Sequence, residues 1–249
     1  MKHLFAWLAL SLLALTATAQ NSTLRLMSYN IHNGIGMDRI TDYTRISDVI
    51  NNVKPDIVAI QEADSVTTRS KGTDDVMLEL GKQTGMRHYF SRAINFAGGS
   101  YGIGLLSREE PLNLTSRPLP GTEEARTMLV AEFKDYVVIC AHLSLTEADR
   151  MTSANILGEE AAKWNKPVFL AGDWNMKPDS KPMEKIKKHF TPLNNMELLT
   201  FPADKPDRCI DYISVDNRHK KSTALKTFEV IDERMASDHR PIVADIELK

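Results

Sequence analysis

The stretch Pro167-Val168-Phe169-Leu170-Ala171-Gly172-Asp173-Trp174-Asn175-Met176-Lys177-Pro178 carries the reading of the whole chain. Residues 167–171 form a short apolar run, the pattern of a strand buried on both faces. The run stops at a glycine and a carboxylate. An aspartate set against so apolar a run is costly to bury alone, so a metal, a cation or hydrogen-bond donors must stand beside it. Asn175 follows two residues later. In α/β sheets, ligand sites form at the carboxyl ends of the strands, where Asp173 and Asn175 fall.

The same arrangement recurs on both sides of this stretch. Residues 126–133 and 136–141 read as a hairpin turning at Lys134-Asp135, and its second arm ends at His142. Residues 24–31 read as a strand carrying Asn30, and Pro55 opens a buried run that ends at Gln61-Glu62. Downstream, Asp211 lies at the beginning of an apolar strand read at 210–215, its second residue, and Asp238-His239 precede a final strand at 242–248. Helices are expected at 43–52, with Ile46, Val49 and Ile50 on one face, at 74–84 with Gly85 as its stop, at 148–164 and near 181–189. Further strands are expected near 88–91, 102–107 and 223–230. This alternation predicts a layered α/β protein with mixed sheets. It also contains a faint echo, in which strand, helix and Pro-initiated strand occur twice, each strand ending in a polar residue.

The 249 residues are 42% hydrophobic and 26% charged, enough for a real core, and no linker or low-complexity stretch divides them. A net charge of −2 argues against a strongly basic nucleic-acid binder and against an acidic tail protein. At the N-terminus, Met1-Lys2-His3, an apolar run at 4–15 and the small residues of Thr16-Ala17-Thr18-Ala19 predict a signal peptide cleaved after Ala19. The run is shorter than the roughly 20 residues that span a bilayer. The expectation is a signal peptide over 1–19, a catalytic domain over 20–249, and an exported protein, periplasmic or extracellular, without a stable membrane anchor. Cys140 and Cys209 sit in or beside apolar runs and read as two buried thiols rather than a bridge.

The strand-ending polar residues define the chemistry. Glu62 and Asp238 offer hard oxygens that suit Mg²⁺ or Ca²⁺. His142, His239 and the aspartates offer proton transfer and charge stabilisation. There is no H-E-x-x-H motif or Cys/His cluster, which argues against zinc, and the one G-x-S-x-G string, Gly98–Gly102, leads into a strand rather than a helix and so is no nucleophile elbow, which argues against a serine hydrolase. Ala97–Gly104 leads into a strand rather than a helix, so it reads as a tight turn and not a phosphate loop. Lys181, Lys185, Lys187 and Lys188, and the pair Lys220-Lys221, read as solvated faces.

Taken in order, SYNIH (28–32), PDIVAIQEAD (55–64), YGIGLLSR (101–108), CAHL (140–143), FLAGDWNMKP (169–178), CIDYI (209–213) and SDHRPIVADI (237–246) resemble the endonuclease/exonuclease/phosphatase superfamily. The likeness runs from Leu24 to Leu248. It implies a DNase I-like four-layer α/β sandwich, with two mixed β-sheets packed face to face and helices outside. It implies hydrolysis of a phosphodiester or phosphomonoester by in-line attack of water, with Mg²⁺ or Mn²⁺. Asn30 and Glu62 would hold the metal, with Asp238 near the same site. His239, paired with an aspartate, would be the base or phosphate clamp. Asp173 and Asn175 would orient water and phosphate, His142 would donate a hydrogen bond or proton to the phosphate, and Asp211 would be a supporting acid. Either Asp173 or His239 would activate the water. Trp174 stands where the family often has Phe, and Ala141 where Thr is common. His32, Tyr101, Arg108 and Arg126 are the candidate substrate contacts, the arginines because guanidinium suits bidentate anion binding. The expected substrate is a small or lipid-linked phosphate ester, handled by a monomer. A secreted Mg-dependent endonuclease is the alternative. A non-catalytic phosphate-binding protein on this scaffold would be expected to have lost some of these polar positions, all of which are filled.

Overall fold

The computed structural model describes residues 22–70 and 75–249. The expected signal peptide, and Asp74 at the expected start of a helix, lie outside the described residues. In chain order the elements are β1 (Ser22–Asn30), α1 (Tyr43–Val53), β2 (Ile57–Ser65), α2 (Val76–Thr84), β3 (Arg87–Phe96), β4 (Gly99–Ser107), β5 (Asn113–Leu119), β6 (Arg126–Glu132), β7 (Val137–His142), α3 (Glu147–Ala161), β8 (Val168–Asp173), α4 (Lys181–Ile186), β9 (Phe190–Pro192), β10 (Asp211–Asp216), β11 (Thr223–Val230) and β12 (Ile242–Leu248).

The strands form two six-stranded sheets, ordered β11-β12-β1-β2-β4-β3 and β5-β6-β7-β8-β10-β9. In each sheet the central pair is parallel, β1 with β2 and β7 with β8, and is joined through a helix, α1 or α3. All other neighbours are antiparallel. The two sheets therefore share one strand pattern, which is the structural basis of the faint echo in the sequence.

The apolar runs are continuous because both faces of each sheet are covered. Along β2, Ile57 and Ala59 face the opposite sheet, whereas Val58 and Ile60 face α1 and α2 with Ile46, Ile50, Met77 and Leu80. In the other half, Val138 and Cys140 of β7 point between the sheets, and Val137 and Ile139 point toward α3 and α4 with Leu157, Met183 and Ile186. Three apolar layers thus separate four layers of secondary structure, the DNase I-like α/β sandwich. Each fully buried Leu, Ile or Val contributes about 1.5–3 kcal/mol.

Local signals set the helix ends. Asp42 caps α1 by accepting from Thr44 N at 2.9 Å, and Asp75 caps α2 by accepting from Leu78 N at 3.0 Å. Gly85 ends α2 in the left-handed conformation, φ 67°. The short strands β5 and β9 have no counterpart in the sequence reading. β5 is an exposed edge strand whose Asn, Ser and Pro118 hide its strand character, and proline is tolerated there because an edge lacks one ladder. α4 ends at Ile186, earlier than its lysine-rich continuation suggests. Cys140 and Cys209 are both free and buried, and burial pushes their thiols up to about 12 and about 11. No helix among the described residues is long and apolar enough to cross a membrane.

Candidate active site

The parallel pairs bring four strand ends to one edge of the sandwich. Asn30 lies beside Gln61 in the first sheet, and His142 lies beside Asp173 in the second. Because β10 runs antiparallel to β8, its first residue, Asp211, pairs with Asp173. β12 runs antiparallel to β1, pairing Ile242 with Ser28, so the loop carrying Asp238 and His239 enters at the same edge. Gly172 permits the close approach of β8 to β7. Its φ is 155°, and a Cβ there would stand 1.8 Å from the carbonyl oxygen of Ala141.

Asn30 is the hub. Its Nδ2 donates to Glu62 Oε1 at 3.0 Å and to Asp173 Oδ2 at 3.1 Å. Its Oδ1 accepts from His32 N at 3.1 Å, and its backbone oxygen accepts from Ser237 Oγ at 2.7 Å. Glu62 occupies a β-bulge between Gln61 and Ala63 at φ 59°, an unpaired extra residue that interrupts the β2–β4 ladder at the site before pairing resumes at Ala63.

His239 lies between two aspartates. Its Nδ1 is 3.0 Å from Asp211 Oδ2, and its Nε2 is 3.6 Å from Asp173 Oδ2. Its ring packs against Phe201, centroids 4.6 Å apart. Burial works against a charged imidazole here, but the charges of Asp211 and Asp173 outweigh it and raise His239 to about 10. Burial raises Asp173 to about 7, with Asp211 adding to the rise, while the His239 charge and hydrogen bonds from Asn175 N and Asn30 oppose it. Asp211 therefore pairs with His239 and not with Arg208, which turns to Asp207.

His142 has different neighbours. Its Nδ1 is 3.1 Å from Arg126 Nη1, and its Nε2 is 3.0 Å from Asn175 Nδ2 and 3.5 Å from Asp173 Oδ2. Burial, then the Arg126 and His239 charges, hold its pKa well below the ordinary value, so the ring is neutral. Asn175, at φ 51°, donates its amide N–H to Asp173 Oδ1 at 2.8 Å and its Nδ2 to Leu143 O at 3.0 Å. Trp174 points the other way, buried against Tyr212 with centroids 4.6 Å apart, so the Phe-to-Trp departure leaves the site untouched.

Glu62, His142, Asp173, Asn175 and His239 line a cleft of about 400 Å³ that also includes Tyr101, Glu124, Arg126 and Asp238, with Asn30 and Asp211 buried behind it. Burial, then the charges of Glu62 and Glu124, push Tyr101 far above its ordinary range, so it stays a neutral phenol. His32 is half-exposed beside the cleft, its Nδ1 3.9 Å from Asp238 Oδ1. Arg126 is in the cleft, held by acidic neighbours. It pairs with Glu124 at 3.2 Å and Glu123 at 3.4 Å. Arg108 is a correction to the sequence reading. β4 runs antiparallel to β2, so Ser107 pairs with Ile57 at the far end, and Arg108 Nε donates to Pro55 O at 2.8 Å. Arg108 therefore lies at the opposite edge of the sheet and contacts no substrate in this cleft. Glu123, Glu124, Phe201 and Ser237 also belong to the site. Of these, only Ser237 was visible in sequence, as the first residue of SDHRP; the others sit in loops with no motif.

The cleft presents the carboxylates of Glu62, Glu124, Asp173 and Asp238. A phosphate placed among them would be repelled without a cation, and the carboxylate oxygens of Glu62 and Asp238, with Oδ1 of Asn30, are hard ligands that fit a divalent ion. Asp173, Asp211 and His239 form a buried cluster whose ligand atoms lie within 4.8 Å of one another.

The sequence model of the Endonuclease/Exonuclease/phosphatase family matches residues 27–239. The chain belongs to this family. Family members are hydrolases acting on phosphate esters and typically depend on a divalent metal. Solved structures carry the same fold. An endonuclease/exonuclease/phosphatase from Bacteroides vulgatus is 19% identical with a TM-score of 0.76, over 92% of this chain and 100% of that one. A mannosyl-6-phosphatase from Bacteroides thetaiotaomicron is 16% identical, TM-score 0.70, over 90% and 99%. A humanized D. rerio TDP2 is 17% identical, TM-score 0.70, over 90% and 98%. At these identities the likeness is one of fold. No curated protein matches the chain in sequence.

Proposed function

We propose that the protein is an exported Mg²⁺- or Mn²⁺-dependent phosphoesterase acting as a monomer, without a membrane anchor, on a small or lipid-linked phosphate ester. The observation that carries the reading is the buried chain Asp211–His239–Asp173, with Asn30 joining it to Glu62. Asn30 and Glu62, with Asp238, would hold the metal, which when bound neutralises charge on the phosphoryl group. Asp173, with its carboxyl raised to about 7, accepts the proton of the attacking water. His239, kept cationic by Asp211, presents Nε2–H to the phosphoryl oxygens. Asn175 and His142 orient the same group from the other sheet.

A small or lipid-linked ester is favoured over DNA by the surroundings of the cleft. Four carboxylates face only two arginines, Arg126 and Arg208, along its walls. Leu145 on the cleft is exposed, as are Ile40, Leu198, Leu199 and Met235 in loops and Phe96 at the end of β3. A nuclease would need a groove that neutralises several phosphates. The likeness to a mannosyl-6-phosphatase is in keeping with a phosphomonoester.

The test is initial rates with Mg²⁺ on plasmid DNA, bis-nitrophenyl phosphate, nitrophenyl phosphate, sphingomyelin, phosphatidylinositol and sugar phosphates. EDTA and His239→Ala serve as controls. Preference for a small or lipid ester is expected. Salt-sensitive preference for the plasmid would reassign the protein as an endonuclease. Export is tested separately, by a mature N-terminus at Gln20 in the periplasm or medium.

A further inference from the structure

Arginine is a donor only, and Arg126 Nη1 stands 3.1 Å from His142 Nδ1. The contact is a hydrogen bond only if Nδ1 carries no proton. A neutral ring accepts at only one of its two nitrogens, and the charge-assisted bond from the guanidinium is the stronger, which puts the proton on Nε2. There it meets a second donor. Asn175 Nδ2 is 3.0 Å from Nε2, and its orientation is set by Leu143 O, to which it donates at 3.0 Å. The nearest carboxylate oxygen to Nε2, Asp173 Oδ2, is 3.5 Å away. Two donors therefore crowd one point of the cleft and share no acceptor at hydrogen-bond distance.

We propose that Arg126 is a positioning residue that locks His142 as the Nε2–H tautomer, so that His142 and Asn175 form a two-donor cradle for a phosphoryl oxygen. Arg126 itself does not contact the phosphate. Its Nη1 serves Nδ1 and Glu124, at 3.2 Å, its Nη2 faces Glu123 at 3.4 Å, and its side chain is 7% exposed. The two glutamates hold the guanidinium in place and offset its charge. His142 then acts by hydrogen bonding, not by proton transfer. Without Arg126, the ring would be free to take the Nδ1–H tautomer and accept from Asn175, which would close the cradle. This inference rests on the phosphoesterase reading for its purpose, but not for its geometry.

The experiment is long-range ¹H–¹⁵N NMR on histidine-labelled protein, with kinetics on the best ester from the panel above. In the wild type, His142 Nδ1 should appear as the bare nitrogen and Nε2 as the protonated one. In Arg126→Met the Nδ1–H form should appear. kcat should fall on the order of 10²-fold, the loss typical of one transition-state donor, with KM little changed. Arg126→Lys keeps a donor at Nδ1 and should restore both the tautomer and part of kcat. An Nδ1–H ring in an active wild type would overturn the proposal, and this measurement needs no variant to fold. A rise in KM with kcat kept in Arg126→Met would also overturn it, because Arg126 would then be a phosphate ligand. A correct tautomer in a protein inactive on every ester would overturn the proposed function and leave the Arg126 assignment standing.

Discussion

Asn30 Nδ2 donates to Asp173 Oδ2 at 3.1 Å, and this bond joins the end of β1 in one sheet to the end of β8 in the other, 143 residues away in sequence. The active edge is thus built across the sandwich, with neither sheet holding it alone. Asn30→Ala removes the donor from both Asp173 and Glu62. Leaving the buried Asp173 acceptor without it should cost about 1–3 kcal/mol of stability. Thermal melts should show that loss, and rates on the preferred ester should fall on the order of 10²-fold. An Asn30→Ala enzyme with full activity would remove Asn30 from the site.

Metal removal should act on stability as well as on rate. An ion held as proposed by Glu62, Asn30 and Asp238 would bind only the folded chain, so Mg²⁺ at about 100 times its dissociation constant should add about 2.7 kcal/mol. The midpoint of unfolding should rise with Mg²⁺ and fall back with EDTA. In Glu62→Ala the Mg²⁺-dependent rise should vanish. A rise of unchanged size would put the ion elsewhere.

Glu123 should govern acid behaviour beside the cleft. Burial opposes its charge, but hydrogen bonds from the backbone, including Leu145 N, and from the Ser144 and Thr146 hydroxyls outweigh it and hold it down at about 2. A carboxylate lowered in the folded state stabilises fully above its unfolded pKa and loses that contribution as pH falls through the folded one. The loss should therefore run from about pH 4.5 down to about pH 2. Melting midpoints across this window should fall less steeply in Glu123→Gln than in the wild type.

Gly172 should tolerate no side chain. In Gly172→Ala, the strain at φ 155° alone should cost about 1–3 kcal/mol. The clash with Ala141 O would also push β8 from β7 and move Asp173, so melting temperature and kcat should fall together. A fully active, equally stable variant would show that the two strands can separate without consequence.

Much of this fold is legible in the sequence. The runs at Ile57–Ile60 and Val168–Ala171 are apolar at every position because each sheet is covered on both faces, and that pattern is local. The polar residues that end those runs, Glu62 and Asp173, were legible for the same reason. β5 was not, because an exposed edge strand needs no apolar alternation.

By itself the sequence determined the polar residues that border the apolar runs, Asn30, Glu62, His142, Asp173, Asp211 and His239, and the family to which they belong. Only the tertiary structure decided the fates of the two arginines. Arg108 and Arg126 look alike in sequence, each next to a strand and near acidic residues. β4 ends at the far edge, so Arg108 reaches Pro55 O, whereas β6 begins at the active edge, so Arg126 reaches His142. Strand direction comes from pairing between residues far apart in the chain. No local pattern records which end of a strand a terminal side chain will share with the catalytic groups.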